Sequence, residues 1–223
     1  FEAVRLCLDS VAAQDYQNLE IIVIDDGSTR PDASEQLDDL EHWRWGRDLR
    51  VVRQENRYLG AARNTGVREA KGEYVAFVDD DDVLDPRYVT TMVTAALETG
   101  ARGVTSAIAM YPTDRLGRLP AGGHEGTFAF LGGGAEHLGM MYNVFGGAAM
   151  MVRRQDLLDL GGFHERAGVG HEDWALLARL VLSGRSLFAV PEHGYLYRVR
   201  PGSMIRSTST YQNMQPVYEA YDD

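Results

Sequence analysis

Apolar residues recur at Phe1, Val4, Leu8 and Val11 with polar residues between them, the spacing of an amphipathic helix. A short apolar run, Ile21 to Ile24, follows and ends in Asp25-Asp26-Gly27-Ser28, which reads as a buried strand running into a turn. Residues 31–43 then predict a helix, Val51-Val52 a second strand, Gly60 to Ala70 another helix and Tyr74 to Val78 a third strand. Pro86 to Leu97 predicts a helix stopped by Gly100. Strands alternating with helices predict βαβ units and a parallel sheet.

The second half is less regular. Gly122 to Gly134 is glycine-rich and predicts loop, and Ala148 to Val152 predicts a strand. Trp174 to Leu182 predicts a helix with Trp174, Leu177, Ala178 and Val181 on one face and Gly184 beyond its end. Phe188 to Val190 and Tyr195 to Val199 read as two short strands. A sheet of this kind ordinarily opens with a strand, whereas Phe1 already lies in a helical pattern. The expectation is therefore that residues upstream of Phe1 are missing from this sequence.

Composition narrows the function classes. The 223 residues suit one α/β domain or two fused halves, with 44% hydrophobic and 25% charged residues. The formal net charge of -11 disfavours nucleic acid, which needs a basic footprint. An acidic chain that binds an anion needs a local correction, such as a metal ion or a few placed arginines. The basic residues are arginines apart from Lys71, a pattern that fits either codon bias or phosphate recognition by guanidinium forks. The one cysteine, Cys7, excludes an intramolecular disulfide and fits a reducing compartment; its apolar surroundings predict a buried, inert thiol. No apolar run reaches the roughly 18 residues of a membrane span, so no integral membrane segment is expected.

Four segments carry candidate chemistry. Asp79-Asp80-Asp81-Asp82 follows the third predicted strand directly. Adjacent carboxylates repel one another, a divalent cation relieves that repulsion, and hard oxygen ligands suit magnesium or manganese. The alternative is a solvated acidic turn, and Asp85 before Pro86 reads as a helix cap. Asp25 and Asp26 end a strand, where carboxylates can accept hydrogen bonds from a base or ribose, or simply form an Asp-Gly turn. Gly60, Ala61 and Ala62 let backbone approach a ligand at a helix start, with Arg63 beside them; close packing on the sheet explains them equally well. Glu172 and Asp173 open a helix, where acids also complement the macrodipole.

Taken together, in order and spacing, these segments resemble the family 2 glycosyltransferases of the GT-A fold. Asp79-Asp80-Asp81 is similar to the family's Asp-X-Asp metal motif, and Glu172-Asp173-Trp174 to the Glu-Asp motif that supplies the catalytic base. Asp25-Asp26-Gly27-Ser28, Ala62-Arg63-Asn64-Thr65-Gly66, Gly146-Gly147-Ala148 and Gly161-Gly162-Phe163 also match the family pattern. The resemblance implies a Rossmann-like, mostly parallel sheet flanked by helices, with a smaller acceptor-side half. Residues 1–100 would form the nucleotide-sugar-binding half, and 101–223 the acceptor-binding and base-bearing half.

It further implies inversion at the anomeric carbon by one in-line displacement. Asp173 would be the general base and Glu172 would orient it or the acceptor. Asp81, with Asp79, would hold Mn2+ or Mg2+. Asp80 would hold ribose or share the metal, Asp26 with Asp25 would bind the base, and Arg63 would sit near base or diphosphate. The family's opening strand is absent, and Arg200 stands where many relatives carry a metal-binding histidine, so Arg200 either pairs with the diphosphate or leaves the metal fewer ligands. The implied partners are a nucleoside-diphosphate sugar, a UDP-sugar foremost, and a glycan, lipid-linked or protein acceptor in glycan or glycoconjugate synthesis. The chain would work in the cytoplasm or peripherally at the inner membrane face, as part of a larger chain. Two rivals remain: a sugar-phosphate nucleotidyltransferase, whose glycine- and lysine-rich phosphate loop is missing, and a non-catalytic nucleotide-sugar-binding domain of a larger assembly.

Overall fold

The computed structural model describes residues 2–42, 46–112, 126–199 and 209–222. The predicted first helix is α1 (Glu2–Ala12), followed by β1 (Glu20–Asp26), α2 (Ala33–His42) and β2 (Asp48–Gln54). β1 and β2 pair in parallel from Glu20 beside Asp48 to Asp26 beside Gln54. Leu8 of α1 and Leu37 and Leu40 of α2 close over Ile21, with Val23, Leu49 and Val51 packed around them. This small core exists because apolar residues at helical spacing meet apolar strand positions.

α3 (Tyr58–Glu69) leads into β3 (Tyr74–Ala76), and the acidic run then passes into β4 (Val83–Leu84) and α4 (Tyr88–Thr99). Gly100 ends α4 in the left-handed region, φ 69°, as its position predicts. Asp85 does not cap the helix itself: it stands two residues before the N-cap, Arg87, whose N–H its Oδ1 accepts at 3.0 Å.

The second sheet contains β5 (Gly103–Pro112), β6 (Gly126–Phe128), β7 (Met150–Arg153) and β8 (Leu187–Val199), with β3 and β4. Its order is β3-β7-β5-β8-β4, with β6 paired to β5. β5 and β8 are parallel, whereas β3–β7, β5–β7, β5–β6 and β4–β8 are antiparallel. Among the described residues parallel pairing is thus confined to β1–β2 and β5–β8, which gives the α/β fold a more mixed character than helix–strand alternation alone suggests. Along β7 the side chains alternate: Met150 and Val152 face one core and Met151 the other.

Tyr88, Met92 and Ala96 of α4 cover the Met151 face together with Val104, Val190 and Tyr195. α5 (Arg154–Asp159), α6 (Glu172–Leu182) and α7 (Thr210–Asp222) cover the opposite face through Leu157, Leu177, Leu180 and Val217. The predicted strands Phe188–Val190 and Tyr195–Val199 are one long β8. Its pairing to β5 jumps from Ser106 beside Val190 to Ile108 beside Tyr195, so residues 191–194 bulge out where Pro191 has no N–H to give. Of the residues read as loop at 122–134, those at 122–125 lie outside the described ones, and the rest carry β6 and the start of a 3-10 turn, Gly132–Ala135. Among the described residues no helix is long and apolar enough to cross a membrane.

Candidate functional site

The acidic run leaves β3 as a tightly braced arch. The Asp79 N–H donates to Tyr195 Oη at 3.2 Å, and the Cys7 thiol donates to the Asp79 carbonyl at 3.4 Å. Tyr111 Oη donates to the Asp81 carbonyl at 3.2 Å, and the Arg198 N–H donates to Asp82 Oδ1 at 2.8 Å. Three elements, α1, β5 and β8, therefore hold the arch from behind. The four carboxylates differ sharply as a result: Asp80 is exposed, Asp79 is partly exposed, Asp81 is buried and Asp82 is fully buried.

Burial, then the charge on Asp79, pushes the Asp82 carboxyl up to about 8, so it is largely protonated at neutral pH. Cys7 is the buried, inert thiol that its pattern predicts; burial first, and then the four aspartates, raise its pKa far above the ordinary thiol range.

Asp25 and Asp26 take different roles at the end of β1. Asp25 Oδ1 accepts the Ser28 N–H at 2.9 Å and closes the turn. Asp26 Oδ1 accepts from Gln54 Nε2 at 2.7 Å and from the Arg57 N–H at 2.9 Å, tying β1 to the loop that opens α3. The next residue, Tyr58, stands at φ 68° and is half-exposed, a strained conformation for a residue with a side chain.

Within α3, Gly60 answers a steric demand. A Cβ there would lie 2.0 Å from the His164 carbonyl oxygen, so only glycine lets α3 approach the loop before α6. Asn64 fastens the same contact, accepting the Phe163 N–H at 2.8 Å and donating to the Phe163 carbonyl at 2.8 Å.

That contact carries Arg63 into the interior, where it is 8% exposed. Its Nη2 donates to Asp79 Oδ1 at 2.8 Å and its Nη1 to Glu172 Oε1, while the guanidinium lies 5.4 Å from the Phe163 ring centroid. Burial alone would lower its pKa, but Asp79, Glu172 and Asp173 together outweigh burial and raise it. The structure thus brings the predicted Arg63, Asp79, Glu172 and Asp173 to one place, with three carboxylates around one cation.

Asp173 follows Glu172 in the first turn of α6, whose N-cap, His171, stands in the left-handed region at φ 59°. Its Oδ1 accepts the N–H of Trp174 at 2.7 Å, and Trp174 is pinned by its indole N–H donating to the Gly139 carbonyl at 2.7 Å. Gly147 backs onto the carboxylate: a Cβ there would sit 3.4 Å from Oδ2. Asp173 is half-buried by surface, yet protein packs densely around it. Burial, then Glu172, pushes its carboxyl up to about 7 against the opposing pull of Arg63. A carboxylate poised there can take a proton near neutral pH.

Among the described residues no group of three or more His, Cys, Asp or Glu side chains converges as a metal cage. The donor set nonetheless fits magnesium or manganese, which are commonly held by one or two carboxylates plus substrate phosphates. Asp79 and Asp81 would supply those oxygens, Asp79 with one of its two already facing Arg63. Arg200 lies outside the described residues. Tyr111, Tyr195 and Arg198 brace the arch without having been legible as site residues. Tyr195 and Tyr197 alternate along a strand, which signals a face, but nothing in that spacing signals what the face touches.

The profile of glycosyl transferase family 2 matches residues 1–158, and that of a glycosyltransferase-like family 2 matches residues 140–220. The chain belongs to glycosyl transferase family 2. It is 30% identical over 217 residues to glycosyltransferase GlyG of Streptococcus pneumoniae, covering 90% of this chain and 68% of GlyG. Across three of its most similar curated relatives the matched share of the relative runs from 13% to 68%.

The fold is that of S. aureus TarS 1-349 solved with UDP-GlcNAc, at a TM-score of 0.71 and 20% identity over 99% of this chain and 62% of TarS 1-349. It is likewise that of the mannosyltransferase PcManGT from Pyrobaculum calidifontis, solved with GDP-Man and Mn2+, at a TM-score of 0.67 and 21% identity over 98% of this chain and 65% of that one. The predicted GT-A class of α/β fold is therefore the observed one.

Proposed function

We propose that this chain is the donor-binding and base-bearing domain of an inverting, divalent-cation-dependent glycosyltransferase. It would move a sugar from a nucleoside-diphosphate sugar, a UDP-sugar foremost, to an acceptor hydroxyl in glycan or glycoconjugate synthesis. The observation that carries this reading is the convergence on Arg63 of Asp79, at the end of β3, with Glu172 and Asp173 at the start of α6. Carboxylates suited to a donor's cation then stand beside a carboxylate whose pKa suits a base. Membership of family 2 supports the reaction class, and fold neighbours solved with UDP-GlcNAc, GDP-Man and Mn2+ support donor and cation.

In this reading Asp173 accepts the acceptor hydroxyl proton as that oxygen bonds the anomeric carbon. The bond from that carbon to the diphosphate breaks on the opposite face, and the nucleoside diphosphate leaves. Glu172 orients Asp173. Asp26, with Asp25 shaping the turn behind it, holds the base, and Asp80, the exposed aspartate, holds ribose. Asp79 and Asp81 would hold Mn2+ or Mg2+, which when bound offsets charge on the leaving diphosphate. Arg200 would contact the diphosphate, and Arg63 stands between Asp79 on the donor side and Glu172 on the base side. Residues 1–100 are the donor half and 101–223 the acceptor and base half of a cytoplasmic or membrane-peripheral enzyme.

The test is thermal stabilisation by a panel of nucleotide sugars with manganese, followed by calorimetry with UDP before and after chelation. A UDP-sugar is expected to stabilise most, and chelation to abolish tight UDP binding. Equal UDP affinity without the cation would remove the metal from the account.

A further inference from the structure

Arg63 spans the two halves of the site. It reaches Asp79, sixteen residues on, and Glu172, 109 residues on, and it does so from a buried position on α3. α3 is held there by Asn64 on both sides of Phe163, and the guanidinium packs against the Phe163 ring. Both terminal nitrogens already face carboxylates of the protein.

Glu172 is itself 6% exposed, and Arg63 is the ion-pair partner found for it among the described residues. A buried carboxylate stripped of its cation either takes a proton or moves toward water. Either response removes the contact that holds the first turn of α6 against α3, and Asp173 is the next residue in that turn. A planar fork can hold two carboxylates in fixed directions at once, which an ammonium cannot do.

We propose that Arg63 is a positioning residue that sets the Glu172–Asp173 pair against the end of β3, so that it governs the transfer step more than donor capture. This rests on the reading of Asp173 as the base. The ion pair with Asp79 makes the geometry of the base depend on the segment that receives the donor.

The test compares Arg63→Lys, Arg63→Gln, Glu172→Gln and the Arg63→Gln/Glu172→Gln double variant with the parent. Binding is read by calorimetry with UDP and manganese. Turnover is read as UDP release from the UDP-sugar that stabilises best, with water as the acceptor. Misplacing a reacting group by about 1 Å can cost ~10²-fold in rate. Arg63→Gln should therefore lower kcat by about that factor, and by at least roughly tenfold more than it raises the Kd for UDP. Arg63→Lys should recover part of the loss. The double variant should lose no more than the worse single one, because both act through one pair.

A raised Kd with kcat unchanged, or losses that multiply, would overturn the proposal. If Arg63→Gln does not fold, Arg63→Lys and Glu172→Gln make the same cycle with the same expected split. Asp173→Asn separates the two readings. If it keeps near-normal turnover, the base reading itself fails. If it is inactive while Arg63→Gln turns over normally, only the positioning proposal fails.

Discussion

Replacing Asp173 by asparagine should make the protein more stable at pH 8, although the residue sits at a helix N-terminus. Helix position alone predicts the reverse, a loss of about 0.3–1 kcal/mol from the macrodipole. The structure changes the sign because burial and Glu172 dominate, raising the carboxyl from 3.8 to about 7 even with Arg63 attracting it. A group whose folded pKa is raised binds its proton more tightly when folded. Its charged form therefore costs stability, fully above pH 7, less as the pH falls, and not at all below 3.8. Each pKa unit is worth ~1.4 kcal/mol, so roughly three units give about 4 kcal/mol. That is an upper figure, because the carboxylate is half-buried and solvent screens it. Asparagine keeps an oxygen that can accept the Trp174 N–H and removes the charge. Urea denaturation of parent and variant at pH 4, 6 and 8 reads the difference. The gain should grow from pH 4 to pH 8. A variant less stable at pH 8, by the macrodipole amount, would refute the dominance of burial.

The same shift sets the pH dependence of turnover: kcat/KM should rise through a midpoint near 7, with about a tenth of the plateau left at pH 6. A midpoint near 4 in the kcat/KM profile would mean that the Asp173 carboxyl is not raised by its surroundings. Gly60→Ala places a methyl group 2.0 Å from the His164 carbonyl oxygen, so it should destabilise by about 1–3 kcal/mol in a thermal or urea melt. A neutral effect there would mean that α3 can draw back from residues 162–165 at no cost.

The first hundred residues were largely legible because their strands are short apolar runs ending in turn residues, as at Ile21 to Asp26. The central strand of the second sheet, β5, was not. Thr105, Ser106 and Ala107 are buried, but small and polar residues give no apolar run to read. α7 was hidden by Pro216, which ordinarily marks a break yet lies inside that helix. The site was legible as a set of motifs but not as a geometry. Spacing placed Asp79, Glu172 and Asp173 near strand or helix ends, and Arg63 near the donor. Only the fold reveals that Arg63 is buried between them, because that depends on α3 meeting the loop before α6 at Gly60 and Asn64. The same holds for Tyr111, Tyr195 and Arg198, whose partners are 30 to 116 residues away.

The central claim is that Asp173 removes the acceptor proton in a protein that binds its donor elsewhere. The direct measurement is kcat for the parent and Asp173→Asn, taken beside the Kd for UDP with manganese. General-base catalysis is typically worth ~10²–10⁴-fold, so kcat should fall by at least about 10²-fold while the Kd stays within roughly threefold. Near-normal turnover in Asp173→Asn, or a collapse of UDP affinity, would contradict the account.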